Sequence, residues 1–213
     1  MIEPPDSWGI RQGRAIFSDV SDGDSRGSIA NRRAISERLG VPADWASVSQ
    51  VHGARVMQVS EAGDHGEADA LWTANRDLPV AVFTADCLGI VLYADAAVGV
   101  AHAGWSGLAS GVIQNLIEAM ASAGYLARAA AIGPAIGPCC YEVGPEVVSR
   151  FAEETTKTTW DTTSVNLWVA ATRILGPEID VWSLGQCTRC NPSWFSHRRD
   201  GSLDRQVSLA WLE

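Results

Sequence analysis

Long apolar runs are missing from this 213-residue chain, and so is any cluster of Lys and Arg. A membrane-spanning helix needs about 20 consecutive apolar residues, so no span and no membrane partner are expected. Cations are the scarcer charge, with 16 Lys and Arg against 25 Asp and Glu and a formal charge of −9. The long-range force on a nucleic-acid backbone is then repulsive, and nucleic acid is not an expected partner; a small molecule fits better. The opening Met1-Ile2-Glu3-Pro4-Pro5-Asp6 has neither the basic start nor the apolar core of a secretory signal, and a cytoplasmic location is expected. Five cysteines is an odd number, which excludes a fully paired disulfide framework and leaves at least one free thiol. Internal repeats and low-complexity tracts are also absent. With 46% apolar residues, the chain is expected to form a single domain over residues 1–213.

The elements that are present read as a mixture. The first 30 residues are polar and turn-rich, with the loop-like Ser18-Asp19-Val20-Ser21-Asp22-Gly23-Asp24-Ser25 at their centre. Apolar residues at helical spacing predict helices over 31–39, 107–123, 145–153 and 165–175, the first stopping at Gly40 and the second at Gly124. Short runs rich in β-branched residues predict strands over 56–59, 80–83, 89–93, 98–102, 129–132, 179–184 and 206–211. Asp95-Ala96-Ala97 is too short for a parallel crossover, so the third and fourth of these strands form an antiparallel hairpin. The expected fold is α/β (α+β): one layered domain of mixed sheets, with a β-hairpin core covered by helices.

That hairpin places Cys87, of Thr84-Ala85-Asp86-Cys87, at the same end as His102, of Ala101-His102-Ala103-Gly104-Trp105-Ser106-Gly107. His52, of Gln50-Val51-His52-Gly53, ends an earlier strand. Two imidazoles and a thiol, with a fourth position left to water, make the donor set of a catalytic zinc site, whereas structural zinc has all four positions filled by protein. Plainer readings compete. A single His on a strand is more often a hydrogen-bonded structural residue, a single Cys is commonly a buried core thiol, and Cys87 with His102 would also serve as nucleophile and base. Cys187-Thr188-Arg189-Cys190 with His197 is a weak zinc or redox signal, because a zinc ribbon needs a second Cys pair, and a structural role is expected. Cys139 and Cys140 are adjacent, so one at most is expected to face a site; Cys139 is taken as pocket-lining.

Six ordered segments resemble the YfiH-like family: Gln50-Val51-His52-Gly53, Ala68-Asp69-Ala70, Thr84-Ala85-Asp86-Cys87, His102-Ala103-Gly104-Trp105, the run from Ile132 to Val143 that includes Gly137-Pro138-Cys139-Cys140-Tyr141, and Phe195-Ser196-His197-Arg198-Arg199-Asp200-Gly201. The family is also labelled multicopper polyphenol oxidase (laccase), peptidoglycan editing factor and purine nucleoside phosphorylase. The resemblance implies a layered α/β fold and zinc held by His52, Cys87 and His102, which would then be the catalytic residues. It implies phosphorolysis of adenosine, inosine, guanosine or methylthioadenosine, with phosphate as co-substrate, and hydrolytic deamination of adenosine. Gln50, Asp86, Ser106 and Trp105 then fall at the substrate, Trp105 as a flat face for a purine. Copper is the less expected metal, since His52, His65, His102 and His197 are too few for a blue-copper centre plus a copper cluster.

Two departures from the family pattern bear on phosphate. Ser106 stands where Arg is usual, and the usual N-terminal Ser-Thr-Arg segment reads Phe17-Ser18-Asp19-Val20-Ser21-Asp22-Gly23. A less anion-friendly pocket is expected, with Arg55, Arg32 or Arg33 as replacements and deamination less affected than phosphorolysis. Two other readings follow from the same residues: a peptidoglycan-precursor hydrolase using Cys87 and His102, and a binding module whose metal has His65 or Cys139 as a fourth ligand.

Overall fold

Side-chain alternation along two strands organises the molecule, whose computed structural model describes residues 1–4 and 13–213. β7 (Leu88–Ala94) and β8 (Ala97–Ala103) pair antiparallel around the turn residues Asp95 and Ala96, as the spacing predicts. Both strands are buried along their whole length, so both faces need cover. Successive side chains point to opposite faces. Ile90, Leu92 and Ala101 pack on one side with Val112, Leu116 and Met120 of α3 (Val112–Ser122) and Ala170, Ala171 and Leu175 of α5 (Leu167–Leu175). Val91, Tyr93, Val98 and Val100 pack on the other side against a second sheet.

The hairpin is the centre of a six-stranded sheet of order β12-β9-β7-β8-β5-β3, with β3 (Val56–Gln58), β5 (Ala70–Thr73), β9 (Ala129–Ile132) and β12 (Asp180–Ser183). The facing sheet has five strands in the order β1-β13-β6-β2-β4: β1 (Gly13–Phe17), β2 (Ala46–Ser49), β4 (Gly63–Glu67), β6 (Val80–Thr84) and β13 (Gln206–Leu212). Its inner residues, among them Phe17, Val80, Val82 and Ala210, fill the inter-sheet core. Its outer residues Ile16, Phe83, Leu209 and Trp211 pack with Trp45 and with Ile35 of α1 (Ile29–Leu39). The layers therefore run helix, sheet, sheet, helices. At the end where His102 pairs with Gly89, the sheets come close: a Cβ on Gly89 would lie 2.0 Å from Ser208 Oγ of β13. Among the described residues no helix is long and apolar enough to cross a membrane.

Mixed sheets with helical cover match the expected fold, and several boundaries move. The helix expected over 107–123 is two, α2 (Trp105–Ala109) and α3, because Gly111 takes φ of 89°, a left-handed conformation that ends one helix and starts the next. The helix expected over 145–153 is only α4 (Pro145–Val148), followed by a separate turn at 152–154. The helix expected from 165 begins at Leu167, since the Asn166 side chain caps it by accepting the N–H of Val169. Val165 belongs instead to β11 (Thr163–Val165), which forms a two-stranded ribbon with β10 (Thr155–Lys157). Part of the loop expected before residue 30 is β1, and the portion at residues 5–12 lies outside the described residues. A short α6 (His197–Asp200), capped by Ser196, was not expected.

Candidate active site

Three segments meet at the narrow end of the inter-sheet space. β8 carries His102 on the same face as Val98 and Val100, and Cys87 stands one residue before β7. His52 arrives on the loop after β2 with φ of 61°, in the left-handed region that non-glycine residues seldom occupy. One buried carboxylate holds both histidines. Asp69 accepts the backbone N–H of Val51 (3.2 Å), His52 (2.9 Å) and Gly53 (2.6 Å), and His102 Nδ1 lies 2.8 Å from its Oδ1. Burial opposes ionisation of Asp69, but the bonds from His102 and the backbone outweigh it and lower its pKa. An ionised carboxylate only accepts, so the His102 Nδ1 carries the proton and Nε2 is the ring atom left for Cys87 and the site.

One donor atom each from His52, Cys87 and His102 lie within 4.8 Å of one another, and the two imidazole rings meet edge to face with centroids 4.7 Å apart. Donors on one tetrahedral ion with bonds of roughly 2.0–2.3 Å stand about 3.3–3.8 Å apart, so small rotations gather the three around a metal. Gly104 leaves the room: a Cβ there would sit 3.0 Å from Cys87 Sγ and 3.3 Å from His52 Cδ2. Charge is arranged as well. Burial pushes the Cys87 thiol up, but hydrogen bonds and charge from His102 and His52 bring it down to about 6. Burial lowers the His102 value, while its bonds to Asp69 and Cys87 raise it to about 9. Without metal, Cys87 and His102 are therefore a thiolate–imidazolium pair near neutral pH.

A cavity of about 440 Å3 opens on this triad. It is lined by the expected His52, Cys87, His102, Gln50, Asp86 and Trp105. Two of these have their polar groups already engaged. Gln50 exchanges two 2.8 Å hydrogen bonds with the Phe83 backbone, extending β6 by a side chain. Asp86, with φ of 84°, accepts from Thr188 Oγ1 (2.5 Å) and from the N–H of Arg198 (2.6 Å), which ties the residue before Cys87 to a distant loop and to α6.

Three expected residues do not line the cavity: Arg55, Ser106 and Cys139. Arg55 lends its backbone carbonyl to the N–H groups of Asp69 and Ala70 at the start of β5. Ser106 is one step beyond Trp105 on α2, where a helix turns each residue by about 100°. Cys139 lies 3.6 Å from Cys190 in a separate cluster of four cysteines. Arg32 is also committed elsewhere, donating to Ser25 O and lying over the Trp45 and Phe83 rings, and Arg33 is not a lining residue. Among the described residues, the arginines that line the cavity are Arg26, Arg198 and Arg205, with His197 and the aromatic Tyr141 also in the lining. Arg198 lies 5.4 Å over the Tyr141 ring. Sequence reasoning missed these and Asp69. Asp69 and Arg198 sit inside quoted motifs, whereas Arg26 and Arg205 sit in loops with no local signal.

Neither residue considered as a fourth ligand joins the triad. His65 is half-buried on β4 and bonded to the Glu61 carbonyl, and Cys139 belongs to the cysteine cluster. Among the described residues the triad is a three-donor group facing a cavity.

A family model described as multi-copper polyphenol oxidoreductase laccase matches residues 17–213. A Haemophilus influenzae protein named purine nucleoside phosphorylase is 31% identical over 206 residues, which cover 90% of this chain and 84% of that protein. A Mycobacterium bovis protein of the same name is 38% identical over 210 residues, covering 90% and 82%. The crystal structure of Bacillus licheniformis hypothetical protein YfiH is similar with a TM-score of 0.83 at 26% identity, over 94% of this chain and 93% of that one. The structure of protein NMB0706 from Neisseria meningitidis gives 0.85 at 28% identity, over 100% and 98%. Sequence and fold agree over nearly the whole length, and the chain belongs to the multi-copper polyphenol oxidoreductase laccase family, whose solved members include YfiH proteins.

Proposed function

We propose that this protein is a cytoplasmic zinc enzyme of purine nucleosides, with residues 1–213 as one functional domain. Its reactions are phosphorolysis of adenosine, inosine, guanosine or methylthioadenosine, and deamination of adenosine at the same centre. The observation that carries this reading is the His52–Cys87–His102 triad at the wall of a cavity of nucleoside size. Relatives named purine nucleoside phosphorylase support it. The donor set suits zinc: two imidazoles and a thiol of lowered pKa, one ring oriented by Asp69, and a glycine where a methyl group would intrude. Zinc bound there supplies Lewis acidity and lowers the pKa of water to about 7. Free thiols throughout the chain suit a reducing compartment.

The remaining work falls to the chain's own residues. In phosphorolysis a phosphate oxygen bonds to C1′ of the ribose while the C1′–N9 bond breaks, and the base leaves with the electron pair and takes up a proton. Arg26, Arg198 and Arg205 attract the phosphate, replacing the charge missing at Ser106. Phosphorolysis is thus better supported than the loss of that arginine suggests. Trp105 and Tyr141 offer flat faces to the purine, and the Arg198 guanidinium over Tyr141 brings cation and aromatic wall together. The test is chromatography of adenosine and inosine incubated with zinc-loaded protein, with and without phosphate. Free base formed only with phosphate, and inosine formed from adenosine without it, are expected. Neither product from protein holding stoichiometric zinc would sink the reading.

A second reading rests on the thiolate–imidazolium pair. Cys87 with His102 has the charge state of a cysteine hydrolase, and a peptidoglycan precursor is its candidate substrate. Cleavage of a UDP-muramyl amino acid by metal-free protein would favour it.

A further inference from the structure

Away from the cavity, four cysteines from two distant stretches of chain share one spot. One donor atom each from Cys139, Cys140, Cys187 and Cys190 all lie within 4.8 Å of one another. Cys190 Sγ is 3.2 Å from Cys140 Sγ and 3.6 Å from Cys139 Sγ. Four thiolates on one zinc, with bonds of about 2.3 Å, stand roughly 3.8 Å apart, so the group is already near that size. Adjacency of Cys139 and Cys140 is no obstacle here. Gly137 to Tyr141 forms a helical turn, with the N–H groups of Cys140 and Tyr141 both donating to Gly137 O. Neighbouring side chains then diverge by about 100° rather than the 180° of a strand, which suits two corners of a tetrahedron. The turn supplies the second pair that Cys187-Thr188-Arg189-Cys190 lacks in sequence.

The backbone around Cys187 favours thiolate at that corner. Cys187 Sγ accepts the N–H of Gly137 at 3.2 Å. Backbone donors of this kind stabilise a charged sulfur that ligates metal. The Arg189 guanidinium lies 4.8 Å over the Trp160 ring, on the turn between β10 and β11. All four cysteines are free thiols.

We propose that Cys139, Cys140, Cys187 and Cys190 form a second, structural zinc site, closed by four thiolates and separate from the triad. Binding releases the protons of the four thiols to solvent and changes no oxidation state. The site staples the 137–141 turn, which brings Ile136 and Tyr141 to the cavity, to the loop whose Thr188 holds Asp86. It is independent of the substrate assigned to the cavity.

The test is zinc per chain, by mass spectrometry, on the reduced full chain and two double variants. His52→Ala with His102→Ala is expected to keep one zinc, and Cys187→Ser with Cys190→Ser to hold one fewer than the unaltered chain. The first variant, reconstituted with Co2+, is expected to show the intense charge-transfer absorption of a cobalt tetrathiolate. The proposal is overturned by equal zinc in the unaltered chain and the cysteine variant. It is equally overturned by a triad variant that holds no zinc, whether its four thiols react freely or have paired as disulfides. That variant keeps all four cysteines, so the outcome stands even where the cysteine variant does not fold.

Discussion

Among the described residues two clusters of metal-type donors occur, and they differ in the respects that decide chemistry. The triad has three donors from three segments, faces a cavity, and has one imidazole fixed by Asp69. The cysteine cluster has four donors from two loops, does not line the cavity, and takes a backbone N–H from Gly137 at Cys187. Thiols also behave oppositely in the two places. Histidine neighbours bring Cys87 down to about 6, whereas the hydrogen bond with Cys140, and desolvation after it, push Cys190 up to about 11. Three protein donors leave a fourth position for water or substrate, while four donors close the site. Residue type alone does not separate a reactive cysteine from a structural one; its neighbours do.

If that contrast holds, removing a triad ligand abolishes turnover without loosening the other cluster. His52→Ala, Cys87→Ala and His102→Ala are each expected to lose more activity than the 10–100-fold typical of an outer-sphere change, while melting temperature changes little. Steady-state assay and thermal unfolding on the same samples check this. Asp69→Asn removes an ionised partner from His102 and is expected to weaken zinc binding by about 10–100-fold, measured by competition with a chromophoric chelator. Gly104→Ala sets a methyl group 3.0 Å from Cys87 Sγ, and a tenfold or so loss in zinc affinity with retained fold is expected from the same titration.

The charge states predict a pH window in metal-free protein. Cys87, lowered to about 6, has its ionised-state stabilisation in full above the ordinary thiol value near 8.5, and loses it as pH falls through 6. His102, raised to about 9, has its stabilisation in full below about 6.5 and loses it as pH rises through 9. The pair is therefore ionised between about 6 and 9. Alkylation of Cys87 is expected to rise with a midpoint near 6, and His102→Ala is expected to move that midpoint up toward the ordinary thiol range. The mildest effects concern phosphate. Arg198→Ala is expected to raise the KM for phosphate several-fold more than it lowers kcat, whereas Arg55→Ala, off the cavity, is expected to change either by less than about twofold.

Much of this was readable from the chain. The hairpin of β7 and β8 announces itself by two apolar runs and a turn too short for anything else, and it alone brings Cys87 toward His102. What stayed hidden has physical reasons. β4, Gly63-Asp64-His65-Gly66-Glu67, is an exposed edge strand with no buried face to impose a pattern. Gly111 breaks a helix whose apolar periodicity runs straight across it. Asp69 is a single carboxylate whose four donors come from residues 51–53 and 102, a convergence that no local spacing records. The cavity arginines come from residues 26, 198 and 205, the first far in sequence from the other two.

The closing of the two sheets has an order in time. In the five-stranded sheet β13 lies between β1 and β6 and is the sole link between them, yet it follows every other strand in the chain. A ribosome adding roughly 5–20 residues per second completes all six strands of the other sheet, the last ending at Ser183, before any of β13 exists. Until then β1 has no strand to pair with, and the inner face of the hairpin has β6 against it but neither β13 nor β1. The growing chain is thus most exposed to aggregation late in its synthesis, and that hazard ends when Gln206–Leu212 slides into place.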